Sequence, residues 1–198
     1  MIECDVTKIP TDAQKEEARQ QFDRHTKELG LKHTFTFDEM WEFLVDRRRK
    51  AQFRTDIITF EEKVKEMPEN LGEDPFPLEH TFLDGLYVRQ VTVPPNTLTV
   101  TKIHKQENVF FLLKGTISIV TDKGIEQISA PYTGITKAGT KRVILHHDEV
   151  VFTTVHATDK KDVEAVEEQI FADDFSGVNA LEDDNIKKLM DLRNEGEL

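Results

Sequence analysis

The sequence has few of the features that mark secreted and membrane-spanning proteins. Its 198 residues include a single cysteine, Cys4, so no internal disulfide can form, and we expect the chain to work in a reducing compartment. It contains no stretch of about 18 apolar residues, and its start lacks the order of charged, apolar and small residues of a secretory signal. We therefore expect neither a membrane span nor a signal peptide, and a cytoplasmic location.

Basic residues are also in deficit, with 26 Lys and Arg against 38 Asp and Glu, a formal net charge of -12. Nucleic acids and anionic membranes are themselves polyanions, so we expect neither as a partner. No Ser/His/Asp set, Gly-rich phosphate loop or Cys/His zinc spacing is present. The length allows one substantial core, or one domain with helical extensions.

The first part of the chain has helical periodicity. A first helix is predicted to begin at Thr11 or Asp12, which are good N-cap residues, and to stop at Gly30. A second helix is predicted from Thr36, where an acid three residues later completes a capping box, to the basic run DRRRK. A third, shorter helix is predicted to begin at Thr59.

After the Pro/Gly-rich stretch EMPENLGEDPFP the periodicity changes to two. Roughly eight or nine short strands are separated by turns, including the strong hairpin signal Asp84-Gly85 and the turns KG and DKG, which is typical of an antiparallel sandwich or barrel. Helical spacing returns in DVEAVEEQIF and in NIKKLMDL. The predicted regions are a helical N-terminal region (1–72), a β-barrel (73–158) and a helical C-terminal extension (159–198).

Two short motifs lie between Val91 and His156. The first runs through KIHKQENVFFLLKG and closes at Gly115, and the second is GITKAGTKR, which contains Gly139. They resemble the motifs of the cupin superfamily, which read Gly, five residues, His-x-His, three or four residues, Glu, six residues, Gly, and Gly, five residues, Pro-x-Gly, two residues, His, three residues, Asn. The resemblance covers about a third of the chain and implies a mainly β fold, a small antiparallel jelly-roll barrel.

The cupin motifs imply a metal site, but most of the ligand positions carry other residues. The two histidines of the first motif correspond to Lys102 and His104, and its glutamate corresponds to Asn108. The histidine and asparagine of the second motif correspond to Arg142 and His146. Two fixed cations would repel a divalent ion by an energy on the order of several kcal/mol at moderate effective dielectric. The resemblance therefore implies a degenerate metal motif.

Strand alternation indicates an inward-facing polar group independently of the motifs. The predicted inward faces are Leu98, Val100, Lys102 and His104 on one strand, and Arg142, Ile144 and His146 on a later one. We predict that four of these side chains meet at one end of the barrel and bind a small anionic ligand: Lys102, His104, Arg142 and His146. Arg142 could bind a carboxylate or phosphate in bidentate fashion.

Two alternatives to the anion site remain open. Lys102 and Arg142 could instead pair with acids at the rim (Glu107, Asp148 or Glu149) and serve no site. A rearranged metal site could use His104, Glu107 and His146, with His156 as a further donor, since imidazole and carboxylate suit Zn, Fe or Ni. The cofactor is thus predicted to be either none or a divalent transition metal.

Two functions follow from these observations. The first is a cupin-fold structural or ligand-binding protein. The run from YVRQ to TDKG resembles small cupin-domain proteins of tailed phages and prophages, which implies a virion or accessory protein located in the host cytoplasm or the virion, with other structural proteins as partners. The alternative is a metal-dependent cupin enzyme of the dioxygenase, isomerase or epimerase type, acting on a small anionic or sugar substrate.

Further expectations concern assembly and a third candidate activity. The apolar run VFFLL has more apolar side chains than one inner face can hold, so its outer face predicts a homo-oligomer or packing on the protein's own helices. A metal-free sugar epimerase with His104 or His146 as its base is the third candidate, but the sequence identifies no tyrosine acid for it.

Overall fold

The computed structural model describes residues 9–30, 36–72, 75–176 and 178. The chain divides into two compact units, Met1–Thr59 and Phe60–Leu198. The helices are α1 (Asp12–Leu29), α2 (Phe37–Lys65) and α3 (Val163–Ile170). The strands are β1 (Leu78–Leu83), β2 (Leu86–Val93), β3 (Thr97–Val100), β4 (Ile103–His104), β5 (Asn108–Lys114), β6 (Thr116–Thr121), β7 (Gly124–Ser129), β8 (Tyr132–Thr136), β9 (Val143–His146), β10 (Val150–Ala157) and β11 (Phe171–Ala172). Within the described residues, no helix is both long and apolar enough to cross a membrane.

Helix α1 has the ends that its sequence predicts. The Thr11 side chain accepts a hydrogen bond from the Gln14 backbone N–H, while the Gln14 side chain accepts one from the Thr11 backbone. Gly30 follows the helix in the left-handed conformation with φ 62°. Both ends are thus capped by local chemistry, which confirms the predicted first helix.

The predicted second and third helices are one continuous helix, α2, so that prediction is wrong in number. Its start is as expected, because the Thr36 backbone N–H donates to Glu39 Oε2 at 2.7 Å and the Glu39 N–H donates to Thr36 Oγ1 at 3.2 Å. The basic run lies inside the helix, where Lys50 pairs with Asp46 one turn earlier. The following residues AQFRTDIITFEE contain no Gly or Pro, so nothing local ends the helix there.

The β region forms two antiparallel sheets. Their strand orders are β1-β2-β10-β5-β8 and β3-β9-β6-β7, and a separate pair joins β11 to β4. Once β1, β4 and β11 are set aside, the chain moves repeatedly from one four-stranded sheet to the other, so that consecutive strands such as β5 and β6, or β9 and β10, lie in different sheets. This is the jelly-roll arrangement, and it confirms the predicted β-barrel with helices before and after it.

The core lies between the two sheets, and the run VFFLL divides between two faces. Phe110 and Leu112 are buried, whereas Val109 and Leu113 on the opposite face of β5 are 38% and 55% exposed. Alternation along the strand produces this division, as predicted. The buried core residues are Val93, Phe110, Leu112, Ile117, Ile119, Ile128, Ile144 and Val150.

Two glycine turns play different roles in this barrel. Asp84-Gly85 closes a tight hairpin in which Leu83 pairs with Leu86, as predicted. Gly115 instead links β5 to β6, which lie in different sheets. It has φ 87°, and a Cβ there would lie 2.6 Å from the Glu149 carbonyl oxygen. Gly115 is therefore required both by its conformation and by the close approach of another chain segment.

The sequence analysis placed Leu98 and Val100 on the same inward face as His104, and this prediction is wrong. β3 ends at Val100 and β4 begins at Ile103, so alternation is interrupted between them. Leu98 is 43% exposed and pairs with the exposed Leu145 on the outer face. The neighbouring Thr99 points inward, where its Oγ1 lies 3.0 Å from His146 Nε2. The break places His104 inside the barrel although Leu98 and Val100 are on the outer face.

The C-terminal extension contributes to the barrel itself. α3 begins at Asp162, whose side chain accepts from the Ala165 N–H at 2.9 Å. The helix leads directly into β11, in which Phe171 pairs with His104 of β4. Helical spacing was predicted through Phe171, but the helix ends at Ile170 and Phe171 already belongs to β11. The further helix predicted for NIKKLMDL lies outside the described residues.

Candidate functional site

Two buried histidines lie at one end of the barrel, beneath the C-terminal extension. The rings of His104 and His156 are nearly parallel, with an angle of 7° and centroids 5.9 Å apart. The edge of Phe171 meets both rings, at centroid distances of 5.2 Å and 6.5 Å. We call this group, together with Asn108 and the segment α3–β11 that covers it, the histidine end.

Burial keeps both imidazoles neutral at neutral pH. The pKa of His104 is lowered to about 3, chiefly by burial and in smaller part by the nearby His156, Arg142 and Arg89. Burial lowers the pKa of His156 to about 4, again with a contribution from Arg89. Asn108 Nδ2 lies 3.0 Å from His104 Nδ1, so the amide donates to the unprotonated ring nitrogen. Asn108 thus supports an imidazole at the position where the cupin motif has an acidic ligand.

The two cations at the histidine end share one carboxylate of the chain itself. Glu167 of α3 accepts from Arg89 Nη1 at 3.1 Å and from Lys102 Nζ at 3.2 Å, through its two different oxygens. Both cations also lie 5.5 Å from the centre of the Phe171 ring. For Lys102 the predicted pairing with an acid is therefore correct in kind, although the partner is Glu167 rather than a rim acid.

His146 lies at the other end of β9 from Arg142, so the predicted meeting of four side chains is wrong. Four residues of strand separate them, which corresponds to about 13 Å. His146 pairs across the sheet with Ile117 and Thr97. Burial lowers its pKa to about 4, and its Nδ1 has no hydrogen-bond partner among the described residues. It is a buried polar residue of the core region.

The rearranged metal site is not assembled either. Glu107 is exposed and pairs with Lys137, while His146 lies away from His104 as described above. No three His, Cys, Asp or Glu side chains of the described residues converge as metal ligands do. The motif positions carry Lys102, which is paired with Glu167, and Asn108, which holds His104. These residues do not fit the metal that the family resemblance implies.

Arg142 faces a separate opening at the side of the barrel. Its Nη1 donates to Thr136 Oγ1 at 3.0 Å, and its guanidinium lies 5.4 Å from the centre of the Phe110 ring. Burial lowers the pKa of Arg142, and Glu126 and Tyr132 act in the opposite direction. Among the described residues it forms no ion pair, which distinguishes it from Lys102 and from the predicted pairing with rim acids.

The opening beside Arg142 is a cavity of about 130 Å³, which we call the Arg142 cavity. It lies between β7 and β8, the end strands of the two sheets. Its lining residues are Phe110, Ile119, Thr121, Glu126, Ile128, Tyr132, Gly134, Ile135 and Arg142. The cavity therefore combines one cation with an apolar and aromatic wall.

Sequence reasoning missed the residues that arrive from a distance. Glu167 and Phe171 come from the C-terminal extension, and Arg89 comes from β2. The available signal was the apolar stripe of α3, whose Val166 and Ile170 are 0% and 1% exposed. That stripe predicts a buried helix face but does not specify which surface it covers.

Comparisons with solved structures find proteins that are similar to this chain at low sequence identity. No protein-family model matches the sequence, and no curated protein is similar to it. A cupin-2 domain protein from Shewanella frigidimarina is 13% identical, with 50% of this chain and 92% of that chain covered and a TM-score of 0.37. A cupin superfamily protein from Desulfitobacterium hafniense is 10% identical, with 44% and 82% covered and a TM-score of 0.38.

An enzyme is also among the similar structures. An acetylacetone dioxygenase from Acinetobacter johnsonii is 16% identical, with 46% of this chain and 65% of that chain covered and a TM-score of 0.37. Two of these three structures are described as cupin proteins and the third as a dioxygenase. The assignment of this chain to the jelly-roll class rests on its own strand order.

Proposed function

We propose that this chain is a jelly-roll protein that acts by binding or as a structural component, and that its histidine end is a structural cluster rather than a metal centre. The observation that supports this is the double role of Glu167, which pairs with both Arg89 and Lys102 while its helix leads Phe171 over the two histidines. The family's ligand positions are thus occupied by interactions within the chain.

The segment α3–β11 is held over the histidine end by apolar packing and by hydrogen bonds. Val166 and Ile170 pack with Tyr87 and with the rings of Phe82 and Phe171 in one apolar cluster. Full burial of a Val or Ile side chain stabilises a fold by about 1.5–3 kcal/mol. Lys105 adds a further contact from its Nζ to the Glu168 carbonyl oxygen at 2.7 Å. A substrate that entered here would have to displace this cluster and separate two cations from Glu167.

The alternative is a metal-dependent cupin enzyme, and one observation favours it. His104 and His156 are both neutral, and neutral imidazole is the form that binds Zn or Fe. The alternative requires further donors, and the nearest motif positions supply an amide and a cation instead. We therefore rank it second.

Metal content together with one substitution separates these two functions. We expect untagged protein to contain less than stoichiometric transition metal by mass spectrometry of the elements, and His104→Ala to lower stability without changing that content. The exposed His147→Ala is the matched control. Stoichiometric metal that is lost in His104→Ala but retained in His147→Ala would support the enzyme and overturn the proposal.

The proposal includes a homo-oligomer that uses the outer face of β5 and β8. Val109, Leu113 and Ile135 are 38%, 55% and 58% exposed on two adjacent strands, and β8 is an end strand of its sheet. A second copy could cover the same patch by two-fold symmetry, which also protects a sheet edge. We expect a native mass above that of one chain, and a shift to the monomer in Leu113→Glu. A monomeric wild-type protein would refute this assembly.

A role in a phage particle or as a phage accessory protein also belongs to this proposal, and it rests on the resemblance of the sequence. Its expected partners are other structural proteins. Co-sedimentation of the protein with particles of a phage that encodes it would test this role, and its absence from purified particles would leave only the accessory role.

A further inference from the structure

We propose that the Arg142 cavity binds a small monocarboxylate with an apolar or aromatic body, which enters between β7 and β8. This inference rests on the proposed binding function and names the ligand class and the entry route. The cavity opens at the side of the barrel, and no residue of the histidine end lines it. It depends on one cation, an apolar wall and a volume that fits such a molecule.

The cation of the site forms no ion pair among the described residues, although the Glu126 carboxylate lies in the same cavity lining. Arg89 and Lys102 share Glu167, whereas the guanidinium of Arg142 has one hydrogen bond, to Thr136, among the described residues. A guanidinium carries five N–H donors in a fork that matches a carboxylate. Donors remain for a two-point contact with an incoming carboxylate, and the stacking of Arg142 on Phe110 holds the guanidinium in position.

The wall of the cavity favours an apolar body. Ile119 and Ile128 come from one sheet, and Phe110 and Tyr132 come from the other, with ring centroids 5.9 Å apart. Gly134 lies under the Phe110 ring, where a Cβ would be 2.4 Å from Phe110 Cζ. The absence of a side chain at Gly134 therefore lets the ring lie flat on β8 and keeps the space beside Arg142 open.

The volume of the cavity and the charge of its lining restrict the class of ligand further. The volume of about 130 Å³ is close to that of an engineered apolar cavity of about 150 Å³ that admits benzene. Glu126 lines the same cavity, and its carboxylate repels a second negative charge on a ligand. A monocarboxylate of about the size of benzoate therefore fits better than phosphate or a dicarboxylate.

The test is a titration of the full chain at pH 7 with benzoate, and with benzamide as a neutral molecule of the same shape. We expect saturable binding of benzoate that is about tenfold tighter than that of benzamide, since the charged contact is the difference. Arg142→Gln should remove the preference. Lys102→Gln, which changes a cation already paired with Glu167, should leave it unchanged within about twofold.

A second variant makes the test independent of the folding of Arg142→Gln. Glu126 is exposed, so Glu126→Gln is expected to fold normally, to bind benzoate more tightly and to bind inorganic phosphate better than the wild type does. Equal affinities for benzoate and benzamide in the wild type, or a loss of benzoate binding in Glu126→Gln, would overturn the inference.

The outcome is separable from that of the proposed function. If benzoate does not bind and the protein lacks stoichiometric metal, this inference fails while the proposed function stands. If benzoate binds but the protein contains metal that depends on His104, the proposed function fails while the ligand site remains.

Discussion

The histidine end and the Arg142 cavity are two polar regions of one barrel, one covered and one open. At the histidine end, Arg89 and Lys102 share the Glu167 carboxylate, and the two imidazoles are neutral under Phe171. At the Arg142 cavity the cation forms no ion pair among the described residues and faces open volume, with Glu126 elsewhere in the lining. The difference arises because the C-terminal extension covers only one of the two regions. Whether a motif position can serve a ligand thus depends on whether the chain itself pairs and covers the side chain there.

The largest effect on stability is expected from weakening the packing of α3 over the histidine end. Ile170→Ala should lower the free energy of unfolding by about 2–5 kcal/mol, because it leaves a cavity beneath α3. Urea denaturation followed by circular dichroism in the β-sheet region of the spectrum measures this. Leu113→Ala, at an apolar position that is 55% exposed, should cost less than about 0.5 kcal/mol in the monomer. Equal costs at the two positions would show that α3 is not packed as described.

A smaller effect is expected from the charge that distinguishes the two regions. Glu167→Gln leaves Arg89 and Lys102 without their shared carboxylate, so unfolding free energy should fall by about 1–3 kcal/mol. Glu168→Gln, on the exposed side of the same helix, is the control and should be nearly neutral. A double-mutant cycle of Glu167→Gln with Lys102→Gln should give a non-zero coupling energy. Additive effects of these two changes would contradict the pairing.

Acid should weaken the histidine end more than the rest of the barrel. The folded-state pKa values of His104 and His156 lie near 3 and 4, below the ordinary value of 6.5, so the unfolded chain binds more protons once the pH falls below about 6.5. Their contribution to stability is complete above that pH and decreases as the pH falls towards 4. In this pH range, each of the two histidines makes the free energy of unfolding fall by up to about 1.4 kcal/mol per pH unit.

The measurement is the free energy of unfolding as a function of pH for the wild type and for His156→Phe. Between pH 6 and pH 4.5 the free energy of unfolding of the variant should fall less steeply than that of the wild type. The difference should be nearly the contribution of one histidine, because one such group is removed. Leu113→Ala, a change at an exposed side chain that does not titrate, should retain the wild-type slope. An unchanged slope in His156→Phe would show that His156 is not held neutral by burial.

The features that the sequence predicts correctly are those set by neighbours in the chain. The capping residues of α1, the Asp84-Gly85 hairpin and the period of two in the barrel all depend on contacts within a few residues. The division of VFFLL between two faces follows from the pleat alone. Short strands with regular turns predicted an antiparallel sandwich or barrel, and the resemblance to the cupin motifs implied the jelly-roll class.

The features that could not be predicted depend on distant segments or on breaks in regularity. Alternation fails at Thr101 and Lys102, which lie in no strand, so the inward face cannot be extrapolated across them. The pairing of Lys102 with Glu167 joins residues 65 positions apart. The apolar stripe of α3 indicates burial but not its destination, and for that reason the histidine end was interpreted as an open ligand site.

The smallest effect is expected at Glu107, a predicted metal ligand that is exposed in the structure. Glu107 pairs with Lys137, and their side chains are 58% and 69% exposed, so Glu107→Gln should change the free energy of unfolding by less than about 0.5 kcal/mol. Metal content and benzoate affinity should both equal those of the wild type, since Glu107 belongs neither to the histidine end nor to the Arg142 cavity. A metal content that falls in both Glu107→Gln and His104→Ala would show that the two residues share a metal ion. The loop between β4 and β5 would then have to turn inward, and the distinction between a closed end and an open side would no longer hold.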